Sequence, residues 1–414
     1  MLTIKRGGLL MALTMVGLLV MAPLAGATTY SDRGAGILIW PIIEVDRAAD
    51  IDTLVDVTNA RTDDLVAAHC FYVNANSHCS NTGLVCEDDS DCVTTESVGS
   101  CTQGWNEIDF NIVLTQNQPL VWSAAEGLSG SQLPCPRNGE CRGANQSNAG
   151  TRVPGVPEEP FLGELKCVEV DPELHEPIAA NDLTGTAEVQ FFQVVAASGG
   201  APAGQRPHAQ PPTGQAPPVP EFFGADPGKY NAVGIRAMEG VTIDGTDLNI
   251  GGPDAEYEPC PQVLIVNHLF DFAADPLSSN LPDDVPGPYF SITELALVPC
   301  SEDFLTQNLT PVTAQFLVYN EFEQRFSTSR QVRCLLNSIL SEIDTTQPER
   351  SIFSAFVAGT VAGQTRIQGV NGGLVGAAQL FYEREGEGFG QFGTGDYNIH
   401  QQGDRADADI IRVP

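Results

Sequence analysis

The sequence predicts an all-β protein of tandem immunoglobulin-like antiparallel β-sandwiches with disulfide-rich loop insertions, and three observations carry that expectation. Short runs rich in Val, Ile, Phe and Tyr recur between turn residues. One of them alternates: Phe110, Ile112 and Leu114 share one face while Asp109 and Asn111 share the other, the period of a half-buried antiparallel strand. Strand-like segments of the first half also recur in order in the second half.

Taken from the N-terminus, residues 1–27 read as a secretory signal peptide. Lys5 and Arg6 precede an apolar run from Leu9 to Ala22, and Ala25-Gly26-Ala27 offers a cleavage site. The run is shorter than the roughly 20 residues needed to span a bilayer, and no transmembrane segment is expected in the mature chain. Residues 28–195 hold the first sandwich, with strands at 36–45, 53–59, 65–74, 108–115, 165–170 and 187–195 and cysteine-rich insertions at 77–104 and 129–160. Residues 196–220 are Pro, Gly, Ala and Gln with little apolar bulk, a linker or long loop. Residues 221–414 form the second sandwich region, with strand-like segments at 230–237 and 263–269 that fit either sandwich and a Gly-rich loop near the C-terminus at 386–395.

Three similarities suggest a tandem duplication. Thr53–Asn59 and the strand ending at Cys70 resemble Gln315–Asn320 and the strand ending at Cys334. Thr115–Pro119 is echoed by Thr345–Pro348, and Leu183–Phe191 aligns without gaps to Leu374–Tyr382.

Export makes the 11 cysteines readable as a disulfide framework. Cys79, Cys86, Cys92 and Cys101, with six, five and eight residues between them, predict a small two-disulfide knob. A zinc site fits less well, because His78 is the one nearby imidazole and no C-x2-C pair is present. Cys135 and Cys141 close a second loop. Cys70 with Cys167 suits an inter-sheet bridge in the first sandwich and Cys300 with Cys334 one in the second, which leaves Cys260 unpaired.

Composition and missing motifs exclude more than they assign. Without Lys5 and Arg6 the chain has 18 basic against 53 acidic residues, so binding nucleic acid through a basic face is not expected. Hydrophobic content of 42% with 18% charged residues describes a globular chain rather than a disordered one. GxSxG, HExxH and a P-loop are absent, and Gly388-Phe-Gly390-Gln-Phe-Gly393 matches a dinucleotide fingerprint by letter with no helix pattern after it. His69 and His268 sit inside apolar strands and read as hydrogen-bonded core residues. Calcium is the one cofactor considered, since hard oxygen ligands cluster at turns: Asp88, Asp89 and Asp91 in the knob, and Asp244, Asp247 and Asn249, with Asp254, in the loop 241–257. Neither cluster has the EF-hand spacing.

Residues 52–59, 69–74, 161–171, 297–304 and 315–330 resemble segments of a group of uncharacterised exported bacterial proteins. The knob is similar to short Cys-rich inserts of bacterial secreted surface proteins. The resemblance implies a shared fold and export and assigns no functional residue. The expected role is a secreted, periplasmic or cell-surface protein, structural or adhesive and not enzymatic, with a surface protein, glycan or divalent cation as partner. The alternatives are a calcium- or carbohydrate-binding module using Trp40, Trp105 and Trp122 as stacking surfaces, and a hydrolase built on two carboxylates.

Overall fold

The structure, a computed structural model, describes residues 33–49, 51–86, 89–95, 97–128, 152–173, 175–191, 228–243, 245–271, 289–384 and 391–414. The leader, the segment 196–220, Cys135 and Cys141, and Asp88 and Asp244 lie outside them.

The chain is all-β and its principal sheets are antiparallel. The first pair of sheets begins with β1 (Ile37–Val45), β2 (Ile51–Asn59) and β3 (Val66–Asn74), and the knob follows as β4 (Ser77–Cys79), β5 (Val85–Cys86) and β6 (Cys101–Gln103). Then come β7 (Glu107–Leu114), β8 (Pro119–Ser123), β9 (Phe161–Val170), β10 (Leu183–Phe191), β11 (Gly228–Asn231) and β12 (Val233–Ile235). A five-stranded sheet, β12-β1-β9-β3-β7, shares a core with a four-stranded sheet, β11-β10-β2-β8. Trp40, Tyr72, Phe161, Leu165, Val55, Val57 and Trp122 fill that core.

The second pair uses β14 (Pro261–Leu269), β15 (Tyr289–Pro299), β17 (Val312–Asn320), β18 (Arg325–Val332), β19 (Leu336–Ile339), β20 (Ala362–Gly369), β21 (Leu374–Arg384), β22 (Gln391–Asn398) and β23 (His400–Asp404). Its five-stranded sheet runs β18-β17-β20-β14-β23 and its four-stranded sheet β19-β15-β21-β22. Strand for strand this repeats the order of the first pair, with β14 in the place of β1, β15 of β2, β17 of β3 and β21 of β10. Leu183–Phe191 and Leu374–Tyr382 therefore occupy the same place in the two pairs.

The other two sequence matches shift. β2 corresponds to β15, and it is β3, VAAHCFYVN, that corresponds to β17, VTAQFLVYN. Both strands end in a buried asparagine whose side-chain oxygen accepts the amide two residues on, Asn76 after Asn74 and Phe322 after Asn320. β2 also ends in a buried asparagine before a polar turn, which is why it resembles β17 in sequence. Thr115–Pro119 joins β7 to β8, whereas Thr345–Pro348 follows β19, so that echo has no structural counterpart.

Of the segments open to either sandwich, 230–237 joins the first pair, because β11 pairs with β10 and β12 with β1, and 263–269 lies in β14 of the second. One reading differs: residues 391–395 of the Gly-rich stretch belong to β22, paired along β21.

The pairs are joined by a third core. β1 is buried along both faces: Leu38, Trp40 and Ile42 enter the first core, while Ile37 and Ile39 turn the other way. A strand covered on both sides needs a continuous apolar run, which its sequence ILIWPIIEV supplies. With Phe71, Val73 and Val168, the outward Ile37 and Ile39 meet Val298 and Val375 of the second four-stranded sheet. The same core takes in Leu248 and Ile250 of β13 (Asp247–Ile250) and Ile411 of β24 (Asp409–Arg412). With β16 (Glu302–Asp303), these form a three-stranded sheet, β13-β24-β16.

Candidate functional site

Side-chain alternation along β9 places charge in the junction between the pairs. Leu165 and Cys167 point into the first core, so Glu164, Lys166 and Val168 point out of it toward the second pair. Lys166 donates to Glu164 Oε1 at 3.1 Å, to Glu302 Oε2 at 2.6 Å and to the Pro299 carbonyl at 3.0 Å. All three charged side chains are fully buried. The ammonium thus has three acceptors for its three protons. Burial alone would push the Lys166 ammonium toward neutrality, but the Glu164 and Glu302 charges outweigh it and its pKa is raised. Burial and the neighbouring Glu302 push Glu164 well above the carboxylate range in spite of Lys166.

Cys334 lies against this triad. Burial pushes its thiol up, and Glu302 and Glu164 add to the shift. In the intact protein it should therefore resist a thiol reagent such as 5,5′-dithiobis(2-nitrobenzoate) and react only after denaturation, with about one equivalent released. Reaction at the rate of an exposed thiol would contradict this placement.

A second polar group occupies the same junction. Across the second four-stranded sheet Glu294 stands opposite Gln379, and Gln379 opposite Asp396, so the three form a row on neighbouring strands. Glu44 at the end of β1 faces this row. Burial first, then Glu294, Asp46 and Asp396, raises Glu44 to about 7. Burial and Glu294 likewise raise Asp396 to about 7, with the neighbouring Gln379 acting in the opposite direction. Glu294 is raised as well, by burial foremost, although Asn337 donates to it at 2.6 Å.

The row fits tightly against β11. A Cβ on Gly228 would lie 1.9 Å from the Asp396 carboxyl carbon, so only glycine leaves room there. Three residues further on, Asn231 N–H donates to Asn398 Oδ1 at 2.9 Å and Asn398 Nδ2 donates to the Asn231 carbonyl at 2.6 Å. The ion pairs among the described residues include none with Glu44, Glu294 or Asp396.

The knob stands apart from both cores. Disulfides Cys79–Cys92 and Cys86–Cys101 hold β5-β4-β6 together, and the cysteines themselves are its only hydrophobic cluster. Glu158 fastens it to the first sheet pair: Asn74 and Asn76 donate to Oε1 at 2.5 and 2.8 Å, and His78 Nε2 lies 2.8 Å from Oε2. Partial burial would raise this carboxyl, but those hydrogen bonds hold it below its ordinary value. Glu158→Ala should speed amide exchange in β4 and β6 about tenfold or more, because three donors lose their acceptor. Unchanged exchange there would show that the disulfides alone position the knob.

The sequence-predicted residues fall as follows. A disulfide joins Cys70 to Cys167 across β3 and β9, within one sheet rather than between two. In the second pair Cys300 bonds to Cys260, not to Cys334, and Cys334 is, among the described residues, the free buried thiol. The pairing Cys300–Cys334 assumed an inter-sheet bridge, whereas Cys260 immediately precedes β14 and reaches the end of β15. Asp89 accepts the Cys101 amide at 2.7 Å, and Asp91 lies in the adjoining turn. Asp247 pairs with Arg412 at 3.3 Å, and Asn249 donates its amide to Glu256 at 3.1 Å.

Among the described residues, the side chains that converge as three metal-capable groups are Cys79, Cys86 and Cys92, and Cys260, Cys300 and Asp409. Every cysteine in them is in a disulfide. Trp40 and Trp122 are fully buried and Trp105 packs edge-on to Phe304, so none offers an open stacking face. His268 is buried against Thr365 and the Leu269 carbonyl, and burial lowers it to about 4; His69 reaches Asp109 at 2.9 Å.

Sequence reasoning missed the triad and the carboxyl row. The triad's signal was present in β9, where Glu164 and Lys166 stand at alternate positions in a largely apolar strand. The chain matches no protein-family model, no curated protein and no solved structure. Among the described residues no helix is long and apolar enough to cross a membrane. The disulfides favour an oxidising, extracytoplasmic setting.

Proposed function

We propose that this is an exported, non-enzymatic structural or adhesive protein in which two immunoglobulin-like sandwiches, locked side by side, carry the knob as a contact element. The observation that carries the reading is the exposure of Leu84 at 68%, Val93 at 57% and Val98 at 79% on a frame whose own core is disulfide. Apolar side chains left outside a small stapled module have no folding role there, and such patches mark contact surfaces. The leader layout supports export. The occluded Glu164–Lys166–Glu302 triad supports a holding role, since no substrate can reach it.

Cell fractionation tests this with the wild-type protein and a Val93→Ser/Val98→Ser variant. Wild type is expected outside the cytosol and retained on the cell surface or its matrix, and the variant is expected mostly in the soluble extracytoplasmic fraction. Wild type found wholly in cytosol, or a variant retained as well as wild type, would overturn the proposal.

A further inference from the structure

The knob also carries information about what it touches. Leu84, Val85, Val93 and Val98 are all exposed, and the frame links the segments that carry them. The Cys79 amide donates to the Leu84 carbonyl, Cys79 is disulfide-bonded to Cys92 beside Val93, and Val93 is bridged to Val98. Val85 precedes Cys86, which is bonded to Cys101. Two disulfides and the Glu158 anchor fix this arrangement before any partner arrives, so binding sacrifices little conformational entropy.

Charge gives the partner its sign. From Thr62 to Pro136, a stretch of 75 residues, there is no Lys or Arg, and the same stretch holds 10 Asp and Glu. Asp89 and Asp91 lie within the knob itself, and His78, its imidazole, is already committed to Glu158. Exposed apolar side chains on a module whose charge is acidic, with Asp89 and Asp91 exposed, match a surface of the opposite charge, and such a module repels phosphate, nucleic acid and anionic lipid.

We infer that the knob docks onto a basic polypeptide surface with an apolar centre, an inference that rests on reading the knob as the contact element. Apolar contact supplies the closeness of fit, and Lys or Arg of the partner meet the acidic side chains of the knob.

The test uses full-length protein and three immobilised peptides of equal length: alternating Lys and Leu, alternating Glu and Leu, and alternating Lys and Ser. The Lys/Leu peptide is expected to bind at least ~10-fold tighter than either of the others. Val93→Ser/Val98→Ser should weaken it by about 10-fold, and so should Leu84→Ser, which leaves the Val93–Val98 bridge intact. Val370→Ser, an exposed apolar residue of the second sheet pair, should leave binding unchanged and so controls for attraction to the acidic protein as a whole. Disulfide mapping by mass spectrometry verifies the framework of each variant. Equal binding of the Glu/Leu peptide, or undiminished Lys/Leu binding by both knob variants, would overturn the inference. If the knob variant is released from cells while the peptides are not distinguished, the partner chemistry fails and the contact role stands. If neither assay responds, both fail.

Discussion

Lys166→Met is expected to destabilise the protein by about 3–5 kcal/mol in urea unfolding, the cost of leaving a buried carboxylate without its cation. Methionine roughly fills the volume of the lysine stem, so the loss reports charge rather than a cavity. Glu302 would keep its burial and lose its 2.6 Å partner, while Glu164, already pushed toward its protonated form, would suffer less. Glu164→Gln, which mimics that form, should therefore cost no more than about 1 kcal/mol. Converting all three residues to apolar side chains of similar volume should restore most of the loss, because the desolvation cost then disappears with the charges. A Lys166→Met variant within 1 kcal/mol of wild type would mean that the triad does not hold its charges in the folded protein.

Raising the pH from 6 to 8 is expected to lower stability by roughly 5 kcal/mol, about half of it from the junction acids. Glu44 and Asp396 are raised to about 7, and Glu169, buried and close to Asp182, to about 8. In the unfolded chain these carboxyls are ionised above about pH 5, so in this window the native state holds more protons than the unfolded state. Their contribution is full below the unfolded pKa and disappears as pH passes the folded values. His268 acts in the opposite direction, but lower down: it is held neutral with a folded value of about 4, so its contribution declines as pH falls below about 6.5. Between pH 6 and 8 the carboxyls therefore decide the slope. Asp396→Asn combined with Glu44→Gln should reduce it by about half, Glu169 keeping the rest, as read from urea midpoints across the range. A wild-type slope that rises, or one the double variant leaves untouched, would contradict the placement of these acids.

The strands were readable because a half-buried strand writes its period into the sequence, as at Phe110, Ile112 and Leu114. Periodicity assigns a side chain to a face without saying what covers that face. Glu164 and Lys166 alternate with Leu165 and Cys167 as a solvent-facing pair would, and only the packing of the second sheet pair makes them buried. Pairing over long sequence distances was similarly hidden. β11 returns to β10, and Cys260 rather than Cys334 meets Cys300, because chain path and not local composition sets those neighbours. The repeat was visible most clearly at Leu183–Phe191 and Leu374–Tyr382, where glycine and alanine positions coincide. It slipped by one strand at Thr53–Asn59, where two strands of the same pair share an ending.

The manner in which the two sheet pairs meet has a consequence for assembly. The contact joins unlike faces: the five-stranded sheet of the first pair lies against the four-stranded sheet of the second. Contacts of that head-to-tail kind do not close on themselves, and a further unit could in principle stack on each end to make a fibre. Such a fibre needs the two leftover faces to meet, and one of them is polar. The first four-stranded sheet presents Asp56, Thr58, Thr184 and Thr186 where the buried face presents Ala296, Val298, Val375 and Ala377. The second five-stranded sheet keeps half-buried Val263, Ile265 and Leu317, beside Arg366 and Gln368, where the buried one presents Ile37, Ile39 and Phe71, beside Lys166 and Val168. The first end is thus a polar cap, as terminal units of solenoid proteins are, and it denies a further copy the apolar contact that joins the two pairs.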